Sequence, residues 1–214
     1  MPDQYLQTLT TPAVERAQEQ RGSRTAMSRL VAGGDTEAAL GPDERAFVAE
    51  QDSFVLATVG ETGWPYVQHR GGPAGFLQVL APDRLGWADV RGNRQYLSVG
   101  NLAVEPRASL LLLDHARQRR LKIVGRVAVL DPAAHPDLAA RLSVPELDGR
   151  VDQLIVLTVA GHAWNCPQHI TPRYTPAEME PVLGPLRAEL QHLRGEVGRL
   201  RARNAELVAA QRSS

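Results

Sequence analysis

The feature that most constrains this chain is a succession of short, strand-like segments between residues 54 and 160. They read FVLATV (54–59), PYVQHR (65–70), GFLQVL (75–80), RLGWADV (84–90), ASLLLLD (108–114), LKIVGRVAVL (121–130) and QLIVLTVA (153–160). Apolar and β-branched residues dominate them, and GETGWP and APD punctuate two of the gaps with turn chemistry. In the sixth segment Leu121, Ile123, Val127 and Val129 alternate with Lys122, Arg126 and Ala128, the period of a strand with one wet face. Short strands at close spacing predict a mainly β domain rolled into a small barrel. Helical pieces flank and interrupt it. Before the first strand, Pro42 suits a first helical turn, Asp43 and Glu44 suit the positive end of the dipole, and Phe47 and Val48 face inward. NRQYLSVGNLAVEP (93–106) and HPDLAARLS (135–143) are the other two, the former expected to begin near Asn93.

Charge and composition then exclude several function classes. Lys+Arg 24 against Asp+Glu 24 leaves no net field to draw the chain to nucleic acid or to an anionic membrane, so neither partner is expected. Lys122 is the only lysine, which confines Schiff-base chemistry to that residue. A single cysteine, Cys166, permits no internal disulfide and fits a reducing compartment. No basic leader with an apolar core opens the sequence and no run reaches the roughly 20 apolar residues of a membrane span, so a cytoplasmic protein is expected. The Walker phosphate loop and the G-x-G-x-x-G fingerprint are both missing. His162, Cys166 and His169 lack the spacing of paired ligand clusters, and no metal site is expected.

Three regions follow: a polar arm over 1–41, helical or irregular, with a Gly-Gly pair at 33 and 34; the strand-rich domain over 42–175; and a C-terminal helix over 181–210. In that helix Leu183, Leu186, Leu190, Leu193, Val197, Leu200, Asn204 and Leu207 recur at alternating spacings of three and four, a heptad seam. Leucine fills the d positions and Asn204 falls at a. Glu189 and Glu196 at g precede Arg194 and Arg201 at e by five residues, the pairing of a parallel homodimer. A single amphipathic helix packed on its own barrel is the alternative. The interleaved acids argue against a phosphate-binding tail.

Two stretches carry chemistry. In HRGGPAGF (69–76) the glycines either turn a barrel corner or let backbone approach a flat or phosphorylated ligand, with Arg70 supplying charge. In DVRGNRQYLSVGNL (89–102) a strand ends, RGN turns the chain, and a helix start with free N–H groups sits among Arg91, Arg94 and Gln95, an arrangement suited to phosphate.

Taken in order, WPYVQHRGGPAGFLQVL, ADVRGNRQYLSVGNL, RRLKIVGRVAVL and WNCPQHITPRY resemble the split-barrel flavoproteins of the pyridoxamine 5'-phosphate oxidase-like superfamily, and more narrowly its FMN-dependent branch with HRGGP and RGNRQY signatures. The likeness spans roughly residues 42–175; QEQRGSR (18–24) is similar to the N-terminal arm of such proteins, and the heptad tail lies outside it. The resemblance implies a six-stranded antiparallel FMN-binding split barrel, forming a homodimer with two FMN molecules in clefts between subunits. Arg94, with Asn93, Gln95 and Tyr96, would take the FMN phosphate. His69 and Arg70 would line the phosphate and the ring edge, and Gly71 and Gly72 would lie near the ring. Trp164, Asn165, Gln168, His169 and Arg173 would form the far wall from the other subunit, while Arg119, Arg120 and Lys122 would either add charge there or face solvent. The implied function is an FMN-dependent oxidoreductase acting on a small organic substrate; the alternative is a non-catalytic flavin, deazaflavin or haem-binding module with an interaction tail. The Arg-x-His-x-Arg type signature of pyridoxamine 5'-phosphate oxidases proper is absent, with AWNCPQHITPRY in its place, which sets oxidation of pyridoxamine phosphate in doubt.

Overall fold

Each of the seven strand-like segments contributes a strand in the computed structural model, which describes residues 4–33, 38–147 and 149–212. Of the arm expected over 1–41, residues 1–3 and 34–37, including Gly34, lie outside the described residues. The chain divides into two compact units, one ending at Ile170 and one beginning at Thr171.

In the first unit, helices α1 (Gln4–Leu9), α2 (Pro12–Gln20), α3 (Arg24–Gly33) and α4 (Pro42–Glu50) precede β1 (Ser53–Val59), β2 (Pro65–Gly71), β3 (Gln78–Ala81) and β4 (Arg84–Val90). After α5 (Leu97–Val104) come β5 (Arg107–Asp114), β6 (Arg119–Leu130), α6 (Pro136–Leu142) and β7 (Val151–Trp164). All strand pairs are antiparallel, in the order β2-β1-β5-β6-β7-β4-β3. The fold is therefore mainly β with flanking helices, as expected. It counts seven strands where the resemblance implies six, because each segment read from the sequence carries its own share of the ladder.

Two boundaries moved for local reasons. The strand expected over 75–80 begins only at Gln78, since Phe76 N–H closes on the Pro73 carbonyl at 3.0 Å and Gly75 takes φ 87°. That is a tight turn whose third residue needs a left-handed backbone, supplied here by glycine. The strand expected over 153–160 runs on to Trp164 because β6 is long enough to pair with it throughout.

The sheet is curled. Phe54 on β1 meets Trp87 on β4 edge to face at 5.1 Å, although three strands separate them in the ladder. A register shift at Val124/Gly125, in the middle of the β6–β7 pair, supplies some of that bend. Phe54, Leu56, Trp87, Leu110, Leu112, Leu121, Ile123 and Leu157 fill the interior, and α4 adds Phe47 and Val48 to the same cluster. Burial of this set is the dominant stabilising term, at about 1.5–3 kcal/mol for each large side chain. A smaller cluster, with Ala88, Leu142 and Leu154 buried, seats α6 on the other face.

The second unit is α7 (Pro176–Arg212) and the residues leading to it. It starts ahead of the expected 181 because Thr175 and Glu178 form a capping box. Glu178 N–H donates to Thr175 Oγ1 at 3.2 Å, and Thr175 N–H donates to Glu178 Oε2 at 2.8 Å. Pro181 and Pro185 are accommodated inside the helix. Among the described residues no helix is long and apolar enough to cross a membrane.

Candidate functional site

Alternation along β2 puts Tyr66, Gln68 and Arg70 on one side of the strand, half-buried, and leaves Val67, His69 and Gly71 exposed on the other. The first three line a cleft of about 160 Å³ together with Asp89, the loop from Arg91 to Tyr96, the first turn of α5 and Asp152 at the start of β7. Ligand pockets span roughly 300–1,000 Å³, so this cleft is smaller than a typical one.

Its charges are organised as two layers. Arg70 Nη1 donates to Asp89 Oδ1 at 2.6 Å. Burial pushes the Asp89 carboxyl above its ordinary range; the Arg70 charge opposes that, and the neighbouring Asp152 adds to it. Nearer the surface, Arg91 Nη2 pairs with Asp152 at 3.0 Å and Tyr96 Oη donates to the same carboxylate at 3.0 Å. Asp152 is held below its usual range, chiefly by the Arg91 hydrogen bond. Both acids are thus matched to arginines, and Arg94, with no polar partner among the described residues, is left facing the cleft.

The loop geometry corrects one expectation. The helix begins at Leu97, not near Asn93, because Arg94 and Tyr96 have left-handed backbones with φ 62° and 53°. Asn93 Oδ1 accepts from Gln95 N–H at 3.1 Å, a local bond that competes with helix formation. Tyr96 occupies the cap position without a side-chain hydrogen bond, so the first-turn N–H groups of α5 stay available to an anion. Two buried polar atoms of cleft residues, Ser98 Oγ and Arg70 Nε, have no hydrogen-bond partner. Such orphans are costly unless something binds them. An anion-binding cleft is the chemistry these groups share.

The residues expected to form the site are therefore divided. Arg70, Asn93, Arg94, Gln95 and Tyr96 come together here. His69 does not, because adjacent residues of a strand face opposite ways. Gly71 pairs with Ser53 in the β1–β2 ladder, and a Cβ on Gly72 would lie 2.8 Å from Phe76 and 3.2 Å from Leu147. The second glycine is thus occupied by packing at a corner, with its N–H on the Asp52 carbonyl at 2.8 Å.

Trp164, at the other end of β7 from Asp152, is up to about 40 Å away along the strand at roughly 3.3 Å per residue, and Asn165, Gln168 and His169 follow it. There Trp164 stacks edge to face on Phe47 at 4.8 Å and donates to Glu44, while the Arg119 guanidinium lies 4.3 Å from its ring. Asn165 turns its amide oxygen to Arg120, and Lys122 sits over the Tyr5 ring at 4.9 Å. Gln168 N–H meets Cys166 Sγ at 3.5 Å and His169 has φ 68°. Arg173 belongs to the second unit. Sequence reasoning missed Ser98, Asp89, Asp152, Tyr66 and Gln68; the alternation of β2 could have found Tyr66 and Gln68 from Arg70, whereas Asp152 carried no local signal. Among the described residues no group of three His, Cys, Asp or Glu side chains is placed to hold a metal ion.

The family model for pyridoxamine 5'-phosphate oxidase matches residues 40–154, more than half of the chain. Among solved structures, an FMN-binding protein from Syntrophomonas wolfei is 13% identical, with 57% of this chain and 83% of that chain covered at a TM-score of 0.45. HupZ of Group A Streptococcus is 13% identical, with 63% and 99% covered and a TM-score of 0.45. An F420 reductase is 20% identical, with 57% and 98% covered and a TM-score of 0.40. No curated protein matches.

Proposed function

Because the chain belongs to the pyridoxamine 5'-phosphate oxidase family, we propose that its cleft takes the phosphate end of FMN and that the protein is an FMN-dependent oxidoreductase acting on a small organic substrate. The observation that carries this reading is the set of unmet polar groups around one small space: the unpartnered Arg94, the uncapped start of α5, Ser98 Oγ and Arg70 Nε. A phosphate dianion satisfies cations, N–H donors and a hydroxyl together. Asn93, Gln95 and Tyr96 complete the rim, and Arg70, steadied by Asp89, holds its remaining donors toward the ligand. Bound there, the flavin supplies hydride transfer, chemistry that side chains do not perform.

A homodimer completes the site in this reading. This cleft is small for a whole flavin, and Trp164, Asn165, Gln168, His169 and Arg173 of a second copy would supply the far wall. The single cysteine fits a cytoplasmic setting.

The test is a visible absorption spectrum of the purified protein, identification of the chromophore released by heat, and reduction by a nicotinamide donor. Release of FMN with donor-dependent bleaching is the expected result. A colourless protein that also fails to take up added FMN overturns the proposal. Flavin bound without any electron transfer would instead favour a binding module, for which the exposed face of α7 would be the interaction surface.

A further inference from the structure

We propose that α7 pairs with α7 of a second copy of this chain as a parallel, in-register, two-stranded coiled coil. The helix lies outside the family match and owes nothing to the flavin reading. Its apolar seam is open: Leu186 is 61% exposed, Leu193 48%, Val197 45% and Leu200 60%, and Leu190, Leu193 and Val197 border a groove with Arg194 and Arg201. From Leu183 to Leu207 the seam runs about 36 Å at 1.5 Å per residue. Gly184, Gly195 and Gly198 and Pro185 all fall off it, at b, f, b and c, so the residues that weaken a lone helix leave the contact face intact.

Charge selects the occupant. Positions e are Arg187, Arg194, Arg201 and Val208, and positions g include Glu189 and Glu196. In a parallel pair g meets e of the next heptad, which sets Glu189 against Arg194 and Glu196 against Arg201 of the second copy. In an antiparallel pair centred on Arg194 e faces e, which sets Arg194 on Arg194 and Arg187 on Arg201. The ion pairs within the chain agree with the parallel reading. Arg187, whose g partner would be Val182, is spent on Glu180 of its own helix at 2.7 Å. Glu189, Arg194, Glu196 and Arg201 form no ion pair among the described residues. Leucine fills every d position, the a positions are Leu183, Leu190, Val197 and Asn204, and the single Asn204 at a specifies register and oligomer state. In register its amide meets its twin, whereas a slip of one heptad puts it against Val197.

The test uses the full-length chain with Cys166→Ser, so that each introduced thiol is the only one. Leu186→Cys and Leu207→Cys place it at d near opposite ends of the seam, and Ala202→Cys places it at f, on the outer surface. Under mild oxidation both d variants are expected to form disulfide-linked dimers at least about tenfold faster than the f variant, because d residues of a parallel in-register pair face their twins across the seam, near the roughly 4.4–6.8 Å Cα separation a disulfide requires, whereas f residues lie on the outside. Cross-linking at one end alone, or at neither end above the f control, overturns the proposal. FMN content measured on the same variants reports on the cleft separately, so either reading can fail without the other.

Discussion

Arg70 on β2 and Asp89 on β4 form an ion pair at 2.6 Å between strands that share no backbone hydrogen bonds. β2 is one edge of the sheet and β4 is next to the other edge, so the pair reaches across the opening where the curled sheet comes round on itself. It positions Arg70 for the cleft and ties the two ends of the ladder together. Both side chains are largely buried, with 22% and 15% exposed, so the pairing is a requirement of Asp89 as much as a benefit to it.

Removing the arginine alone should therefore cost more than removing both charges. Arg70→Ala leaves a buried, unpaired carboxylate and is expected to destabilise by about 2–4 kcal/mol, below the full value for an interior pair because water still reaches it. Arg70→Ala with Asp89→Asn should recover at least half of that loss. Urea unfolding of the three proteins checks it; a double variant no better than the single one would remove the pair from this role.

Asp89 also sets a pH dependence. Burial raises its carboxyl above the ordinary 3.8 in the folded state, and the Arg70 charge only partly opposes the rise. A group raised by folding contributes stability in its protonated form, fully present below the ordinary value and lost as pH climbs through the raised one. The wild type should lose stability relative to Asp89→Asn as pH increases from about 3.5 upward. Denaturation midpoints across that range give the sign, and a rising difference contradicts it.

Arg94 makes no polar contact to defend within the chain, so Arg94→Ala should leave the melting temperature of the flavin-free protein unchanged. FMN affinity should fall about 10–100-fold, the worth of one charge-assisted hydrogen bond of about 1.5–3 kcal/mol. Flavin fluorescence titration reads it directly. Unchanged affinity would take Arg94 out of the phosphate site.

Ser98→Ala should act with opposite signs on stability and binding. Ser98 is 3% exposed and its hydroxyl has no partner, so replacing it removes an unmet group and should leave the flavin-free protein as stable or up to about 1 kcal/mol more so. The same change deletes a donor to phosphate and should weaken FMN binding. A variant that is destabilised but binds normally would make the serine purely structural.

Gly72→Ala tests the corner. A Cβ there would press on the Cβ and ring of Phe76 and on Leu147, at a cost of about 1–3 kcal/mol. FMN affinity of the folded fraction should be unchanged, since Gly72 does not line the cleft. Thermal melts and titration together separate packing from ligand contact.

Much of the architecture was legible because its signals are local. Alternation in LKIVGRVAVL and the Pro42 helix start with Phe47 and Val48 inside depend on residues a few positions apart and appear where the pattern puts them, and the heptad segment lies within one helix, α7. Of RGNRQY, expected to form a phosphate loop, Arg94, Gln95 and Tyr96 gather with Arg70 in one cleft. Even the left-handed turns at Arg94 and Tyr96, which delay α5 to Leu97, follow from local competition by Asn93, though the sequence held no sign of their exact hand.

Sequence by itself thus determined which segments form strands and helices, though not all of their ends, since backbone periodicity is fixed within a few residues. Only the tertiary structure decided that Asp89, Asp152 and Ser98 share a cleft with Arg70, that His69 turns away from it, and that Gly72 is filled by Phe76. Those meetings depend on strand register and on how far the sheet curls, quantities set by the packing of Phe54, Trp87 and their neighbours across the whole interior.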